Sequence, residues 1–210
     1  MLIRQFEVGN MSIFSYLIGD ELEKECLFID PAAEHDMLLA EAESRGLTTK
    51  YIVNTHSHID HVMGNKEMVR RTGAKIIIHE ADAPGLADTP QHLLDMFGAE
   101  PSPPADMLVS DGDMIKIGKV ALKVIHTPGH TPGGMCLFID GMVFTGDSLF
   151  VGSIGRTDLP GCSHEDLENS IRTKLYKLPG ETVVFPGHNY GMHSTSTIDQ
   201  ERRTNAFVRG

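Results

Sequence analysis

Thr55-His56-Ser57-His58-Ile59-Asp60-His61 follows directly on the apolar run Tyr51-Ile52-Val53. A run so rich in aromatic and β-branched residues predicts a buried strand, and the polar cluster then occupies the loop where that strand ends. Three imidazoles and a carboxylate fall within six residues, 56 to 61. Imidazole suits zinc and iron, and a carboxylate adds a hard ligand that also handles protons. The density is enough for two ions if His56 and His58 point one way while Asp60 and His61 point another.

Outward from this loop, three later segments repeat its design, with polar groups set just past an apolar strand. His130 follows Ile125, Asp147 follows Phe144 and His188 follows Phe185. Ligands drawn from separate strand ends give a metal a rigid frame before substrate arrives. Glycine and proline crowd the same places, in Thr127-Pro128-Gly129-His130-Thr131-Pro132-Gly133-Gly134, Thr145-Gly146-Asp147 and Pro186-Gly187-His188. Such residues permit sharp, rigid turns close to an ion.

The intervening chain reads as alternating strands and helices. Strands are expected at 3–8 and 12–18 around Gly9-Asn10, a strong turn pair, and at 26–29. Asp30-Pro31 reads as a helix cap and first turn, so a helix is expected from 32 to Arg45, ended by Gly46. A short helix at 65–71 and a strand at 75–78 follow. Residues 80–104, with five prolines, are expected to be irregular, with a short helix at 91–97. Strands at 114–117, 120–125, 135–139 and 142–144 come next, the last two joined by Asp140-Gly141. A helix at 164–175 presents Leu167, Ile171 and Leu175 on one face. A last strand at 182–185 and a short helix at 198–206 complete an α/β pattern that two packed sheets with helices outside would accommodate.

Composition narrows the function. The chain, 1–210, is long enough for one domain with a proper core. A net charge of −11 opposes a nucleic-acid binder, because non-specific affinity comes from Lys and Arg releasing counterions. Three widely spaced cysteines, Cys26, Cys136 and Cys162, suggest buried thiols rather than a disulfide framework. No apolar run reaches membrane-spanning length and the first residues lack a secretory core, so a cytoplasmic protein with no membrane partner is expected. The other histidines, His35, His79, His92, His164 and His193, read as surface or capping residues, and His126 as structural. The methionines read as core filler rather than copper ligands.

The motifs T-H-S-H-I-D-H at 55–61, T-P-G-H-T-P-G-G at 127–134, F-T-G-D-S-L-F at 144–150 and P-G-H at 186–188 resemble those of the metallo-β-lactamase-fold hydrolases, in particular the glyoxalase II-like branch. The resemblance covers essentially the whole chain. It implies a four-layer αβ/βα sandwich, two mixed sheets flanked by helices, with a metal site at one edge. It also implies that His56, His58 and His130 hold one ion, that Asp60, His61 and His188 hold a second, and that Asp147 bridges them. The true β-lactamases match less well, with His61 where many have arginine and Asp147 where their second metal uses a cysteine.

The expected cofactors are two divalent ions, zinc first, with iron or a mixed pair as the alternative. Two such ions would lower the pKa of a bridging water and polarise a carbonyl. The expected reaction is hydrolysis of a thioester or small ester, with Asp60 as the catalytic residue that orients the hydroxide. The longer C-terminal helical region with which glyoxalase II binds glutathione has no clear counterpart here. Gly155-Arg156-Thr157-Asp158 and His188-Asn189-Tyr190-Gly191 also resemble the persulfide dioxygenases of the superfamily. That resemblance implies a single iron on His56, His130 and Asp147, a facial set with open positions for oxygen and a persulfide. A non-catalytic scaffold fits poorly with so complete a ligand set.

Arg156 and Tyr190 are the expected substrate contacts, Arg156 through a carboxylate. Each has a structural alternative, an ion pair with Asp158 or Glu165 for Arg156 and packing on the C-terminal helix for Tyr190. The expected partner is a small thioester or thiol-derived substrate, with a homodimer left open.

Overall fold

A computed structural model describes residues 1–209. Among the described residues, twelve strands form two six-stranded sheets. The first sheet takes β1 (Leu2–Val8), β2 (Ile13–Asp20), β3 (Glu25–Ile29), β4 (Thr48–Val53), β5 (Lys75–His79) and β6 (Met107–Val109) in sequence order. Its first three strands pair antiparallel, whereas β3 to β6 run parallel. Parallel neighbours need crossovers. These are supplied by α1 (His35–Ser44), by α2 (Ile59–Val62) with α3 (Asn65–Thr72), and by α4 (Ala83–Ala87) with α5 (Gln91–Phe97).

The second sheet runs β12-β11-β10-β9-β8-β7. Its strands are β7 (Met114–Ile117), β8 (Val120–His126), β9 (Met135–Ile139), β10 (Met142–Gly146), β11 (Val183–Pro186) and β12 (Ser196–Thr197). All neighbours are antiparallel except β10 and β11, whose crossover carries α6 (His164–Thr173). The chain then closes with α7 (Ile198–Thr204). Asp140 and Gly141 both have positive φ, 43° and 76°, as the tight β9–β10 hairpin requires.

Side chains alternate along the strands and so make three apolar layers. On β2, Phe14, Tyr16 and Ile18 face the second sheet, while Ile13 and Leu17 face the helices. Val120, Leu122 and Val124 of β8, with Met135, Leu137 and Ile139 of β9, complete the central layer. Leu38, Leu39 and Met68 from α1 and α3 cover the first sheet, and Leu167, Ile171 and Ile198 from α6 and α7 cover the second. Each such side chain, fully buried, contributes about 1.5–3 kcal/mol. This is the four-layer αβ/βα sandwich that the motifs imply.

Three expectations need correction, and two strands lie beyond what local pattern shows. α1 begins at His35 rather than 32, with Glu34 in the left-handed region at φ 48°. Asp30 cannot cap it, because its carboxylate is turned inward and already saturated by donors near His61. The region 80–104 is more regular than expected, since α4 precedes α5. β6 and β12, with three and two residues, carry too little pattern to be read. His79 is buried rather than exposed, its ring stacked on His126 at 3.9 Å.

At one edge the sheets are stitched by backbone hydrogen bonds. Phe14 N donates to Gly187 O at 2.8 Å, Asn189 N to Ser12 O at 2.8 Å and Met135 N to Thr55 O at 2.9 Å. The polar loops lie at this edge. Cys26, Cys136 and Cys162 are free thiols, and burial pushes those of Cys26 and Cys136 up to about 11. Among the described residues no helix is long and apolar enough to cross a membrane.

Candidate metal centre

All seven candidate ligands come together where the sheets meet. The loop after β4 and the single turn of α2 deliver His56, His58, Asp60 and His61. The loops after β8, β10 and β11 deliver His130, Asp147 and His188. One ligand atom each from His56, His58 and His130 lies within 4.8 Å of the others, and the same holds for Asp60, His61 and His188. Asp147 lies between these groups: its Oδ1 is 3.4 Å from His61 Nε2, and its Oδ2 is 3.5 Å from His130 Nε2 and 3.4 Å from His188 Nε2.

The ring orientations follow from what each Nδ1 touches. His130 Nδ1 donates to Arg156 O at 2.8 Å and His188 Nδ1 to Met11 O at 2.9 Å, which leaves both Nε2 lone pairs facing the centre. His61 Nδ1 donates to Asp30 Oδ2 at 3.0 Å. Thr55 Oγ1 donates to the same oxygen at 2.6 Å and lies 3.0 Å from His56 Nδ1, so it can accept from that ring. Asp30 Oδ1 takes Thr55 N at 2.8 Å. One buried carboxylate thus sets two imidazoles, the support usual behind metal-bound histidine. Asp30, His56 and His61 also cluster, but the Asp30 oxygens are already occupied, which makes it a support rather than a third site.

Asp82 does similar work for the loops. Its Oδ2 accepts from Ser57 N at 2.9 Å and its Oδ1 from Gly133 N at 2.6 Å, tying the His56–His61 loop to the His130 loop. Cys162 Sγ donates to His130 O at 2.9 Å behind that ligand. Asp30 and Asp82 were not singled out from sequence. Asp30 carried a usable signal, since it directly follows the apolar run of β3, the placement that marked the other four loops. Asp82 carried none.

The residues fit metal ions. His56 Nε2 and Asp147 Oδ1 are buried with no hydrogen-bond partner, a costly state for polar atoms. His58 Nδ1 approaches His130 Nε2 at 2.9 Å, and His61 Nε2 approaches His188 Nε2 at 3.0 Å. Two nitrogens on one tetrahedral ion lie roughly 3.3 Å apart, so these pairs are near ligating distance. Burial, with like charge from His61, holds the His56 imidazole well below its ordinary value, and burial with His130 pushes His58 down to about 4. Burial opposes protonation of His61 and His188 too. Asp147, Asp60 and Asp30 nevertheless hold His61 well above the usual range, and Asp147 and Asp60 raise His188 to about 9. Burial likewise opposes ionisation of Asp147, but His61 and His188 keep it well below the ordinary carboxylate range. The carboxylates draw positive charge into the site, which is what a divalent cation satisfies.

A cavity of about 620 Å³ opens onto the centre. Its floor includes His58, Asp60, His130, Asp147 and His188, and both expected substrate contacts line it. Arg156 reaches the cavity while its guanidinium makes a bidentate pair with Asp158 at 2.8 and 2.9 Å. Tyr190 stacks on His188, with ring centroids 4.5 Å apart, rather than on α7.

A family model described as the metallo-beta-lactamase superfamily matches residues 8–188. Among curated proteins, the chain is 34% identical over 209 residues to the mitochondrial persulfide dioxygenase ETHE1 of Homo sapiens, covering 98% of this chain and 75% of that one. Among solved structures, ETHE1 from Myxococcus xanthus superposes with a TM-score of 0.85 at 32% identity, covering 99% and 84% of the two chains. The B3 metallo-β-lactamase BLEG-1 superposes with a TM-score of 0.88 at 30% identity, covering 100% of each. TTHA1623 in a di-iron-bound form gives 0.83 at 30%, covering 98% and 100%. Two mixed sheets in this order, loops rich in histidine and aspartate at their shared edge and likeness along nearly the whole length lead to one assignment: the chain belongs to the metallo-β-lactamase superfamily.

Proposed function

We propose that this protein is a persulfide dioxygenase, oxidising the outer sulfur of a small organic persulfide. The observation that carries this reading is the likeness to persulfide dioxygenase ETHE1, 34% identical over 98% of the chain. Glyoxalase II-like thioester hydrolysis, the first expectation from the motifs, has less support from these relatives. The balanced reaction takes a persulfide, dioxygen and water to a thiol, sulfite and two protons. The four electrons released by the outer sulfur reduce the dioxygen.

His56, His130 and Asp147 would hold the iron, which supplies open positions for oxygen and the persulfide sulfur. The chain's own residues hold that arrangement. Thr55 and Asp30 fix His56 from behind, the Arg156 carbonyl fixes His130, and apolar side chains line the cavity above them. Arg156 and Tyr190 are the proposed substrate contacts at the mouth. The test is oxygen uptake and sulfite release by iron-loaded protein given an organic persulfide. One sulfite per oxygen is expected, and an absence of uptake at full iron loading would sink the reading.

A second reading keeps the dinuclear hydrolase. The observation that favours it is that both three-ligand groups are already assembled with Asp147 between them, and TTHA1623 was solved with two irons. In that case all seven residues would hold ions, Asp60 would orient the nucleophilic water, and hydrolysis would take a thioester and water to acid and thiol. Metal content per chain, read on protein never exposed to chelator, separates the two. About one iron supports the dioxygenase, and about two zinc or mixed ions support the hydrolase.

A further inference from the structure

We propose that Glu201, with Asn205 at the end of α7, is a positioning residue of the candidate metal centre, acting on His130 through the loop after β10. The inference rests on the proposed function only in taking His130 and Asp147 as ligands, which the two mechanisms share. The loop carries Asp147 at one end and Arg156 at the other. The Arg156 carbonyl takes His130 Nδ1 at 2.8 Å, and Phe150, Ser153, Ile154 and Arg156 line the cavity above the centre. Within itself the loop is closed by Phe150 N donating to Ser153 O at 2.9 Å and by a bridge between Leu149 and Ile154. The groups at its tip must find partners elsewhere.

They find them on the C-terminal helix. Glu201 and Asn205 are both fully buried, whereas side chains of these types are ordinarily exposed. Glu201 Oε2 accepts from Gly152 N at 2.9 Å and from Asn205 Nδ2 at 2.9 Å. Asn205 Nδ2 also donates to Ser153 O at 3.1 Å, and Asn205 Oδ1 accepts from Phe207 N at 3.0 Å and Val208 N at 3.2 Å. With its donors and acceptor sites all engaged, the Asn205 amide is fixed, and it fixes the carboxyl beside it. Glu201 Oε1 is buried without a hydrogen-bond partner. A carboxyl so incompletely matched adds little to stability. What it sets is the place of Gly152, which turns the tip at φ 78°. Three residues on, Gly155 packs with no room for a Cβ between Asp147 O and the His130 ring. Displacement of the tip is therefore passed to both ligands.

The test compares Glu201→Leu and Glu201→Gln with the unmodified full chain. Glutamine keeps an oxygen that can accept from Gly152 N, and leucine does not. Hydrogen exchange read by mass spectrometry follows residues 148–156. Titration of chelator-treated protein with cobalt(II), read by its visible absorption, follows the centre. For Glu201→Leu the expected result is about tenfold faster exchange confined to 148–156 and about tenfold weaker cobalt binding. For Glu201→Gln both should return to within about threefold of the unmodified values, and β8 and β9 should exchange at the unmodified rate in both variants. Unchanged cobalt affinity in Glu201→Leu overturns the inference, and so does unchanged exchange in 148–156. Faster exchange throughout the second sheet, or a Glu201→Gln as impaired as Glu201→Leu, also overturns it, because a merely structural residue would give those results. If Glu201→Leu does not fold, Asn205→Ala, which cuts the tie to Ser153 O, is judged by the same two measurements. Neither measurement involves turnover. An absence of oxygen uptake by unmodified, iron-loaded protein therefore removes the dioxygenase reading and leaves the role of Glu201 standing.

Discussion

Asp30 gathers three donors onto one buried carboxylate: Thr55 N, Thr55 Oγ1 and His61 Nδ1. Removing it strands them in the interior, where each unpaired group costs about 1–3 kcal/mol. Asp30→Ala is therefore expected to lower stability by roughly 3 kcal/mol and to weaken metal binding by about 10–100-fold. Urea denaturation and metal titration read the two effects, and unchanged metal affinity would mean that Asp30 does not orient the ligands. Asp147 lies near ligand atoms of both groups, so Asp147→Ala should abolish activity under either mechanism. Asp60 discriminates: Asp60→Ala should be severe for a dinuclear hydrolase and mild for a mononuclear oxygenase. Iron retention and oxygen uptake near the unmodified level in Asp60→Ala would exclude the hydrolase.

At the scale of elements, the site depends on backbones approaching its ligands closely. A Cβ at Gly155 would lie 1.9 Å from Asp147 O and 2.9 Å from His130 Nδ1. Gly155→Ala must therefore push apart the loop after β10 and the His130 ring. We expect it to lose bound metal, measured after gel filtration, while circular dichroism keeps the sheet signal. Retention of metal at the unmodified level would show that the loop can yield. These elements also show why the sequence was legible in part. Most strands are legible because apolar runs alternate between turn pairs such as Asp140-Gly141. The candidate ligands are legible because each follows such a run. The start of α1 was not, because Asp30-Pro31 has the local chemistry of a cap while the carboxylate is claimed by residues 25 to 31 positions later. β6 and β12 exist through pairing with β5 and β11, which local pattern does not encode.

At the scale of the whole molecule, the candidate metal centre belongs to neither sheet alone. Each three-ligand group takes two residues from the loop after β4 and one from the second sheet. Ions that bind only the folded state stabilise it by mass action, about 4 kcal/mol when free metal is a thousandfold above Kd. For a chain of this size that corresponds to a rise in Tm of about 10 °C. Chelation followed by stoichiometric metal return should therefore lower and then restore Tm by that order in differential scanning calorimetry. Equal Tm for both forms would mean that the loops are held entirely by Asp30, Asp82 and the backbone stitches.

The stitching of the sheets by Phe14 with Gly187, Asn189 with Ser12 and Met135 with Thr55 also sets an order of events. These contacts are remote in sequence and so form late. A complete set for either group exists only after they close, because each needs a residue from the second sheet. Loading of the folded chain through the cavity above the centre is the expected order. Metal supply would then select the ion, and exchange into the folded protein is expected to leave the sheet signal in circular dichroism unchanged.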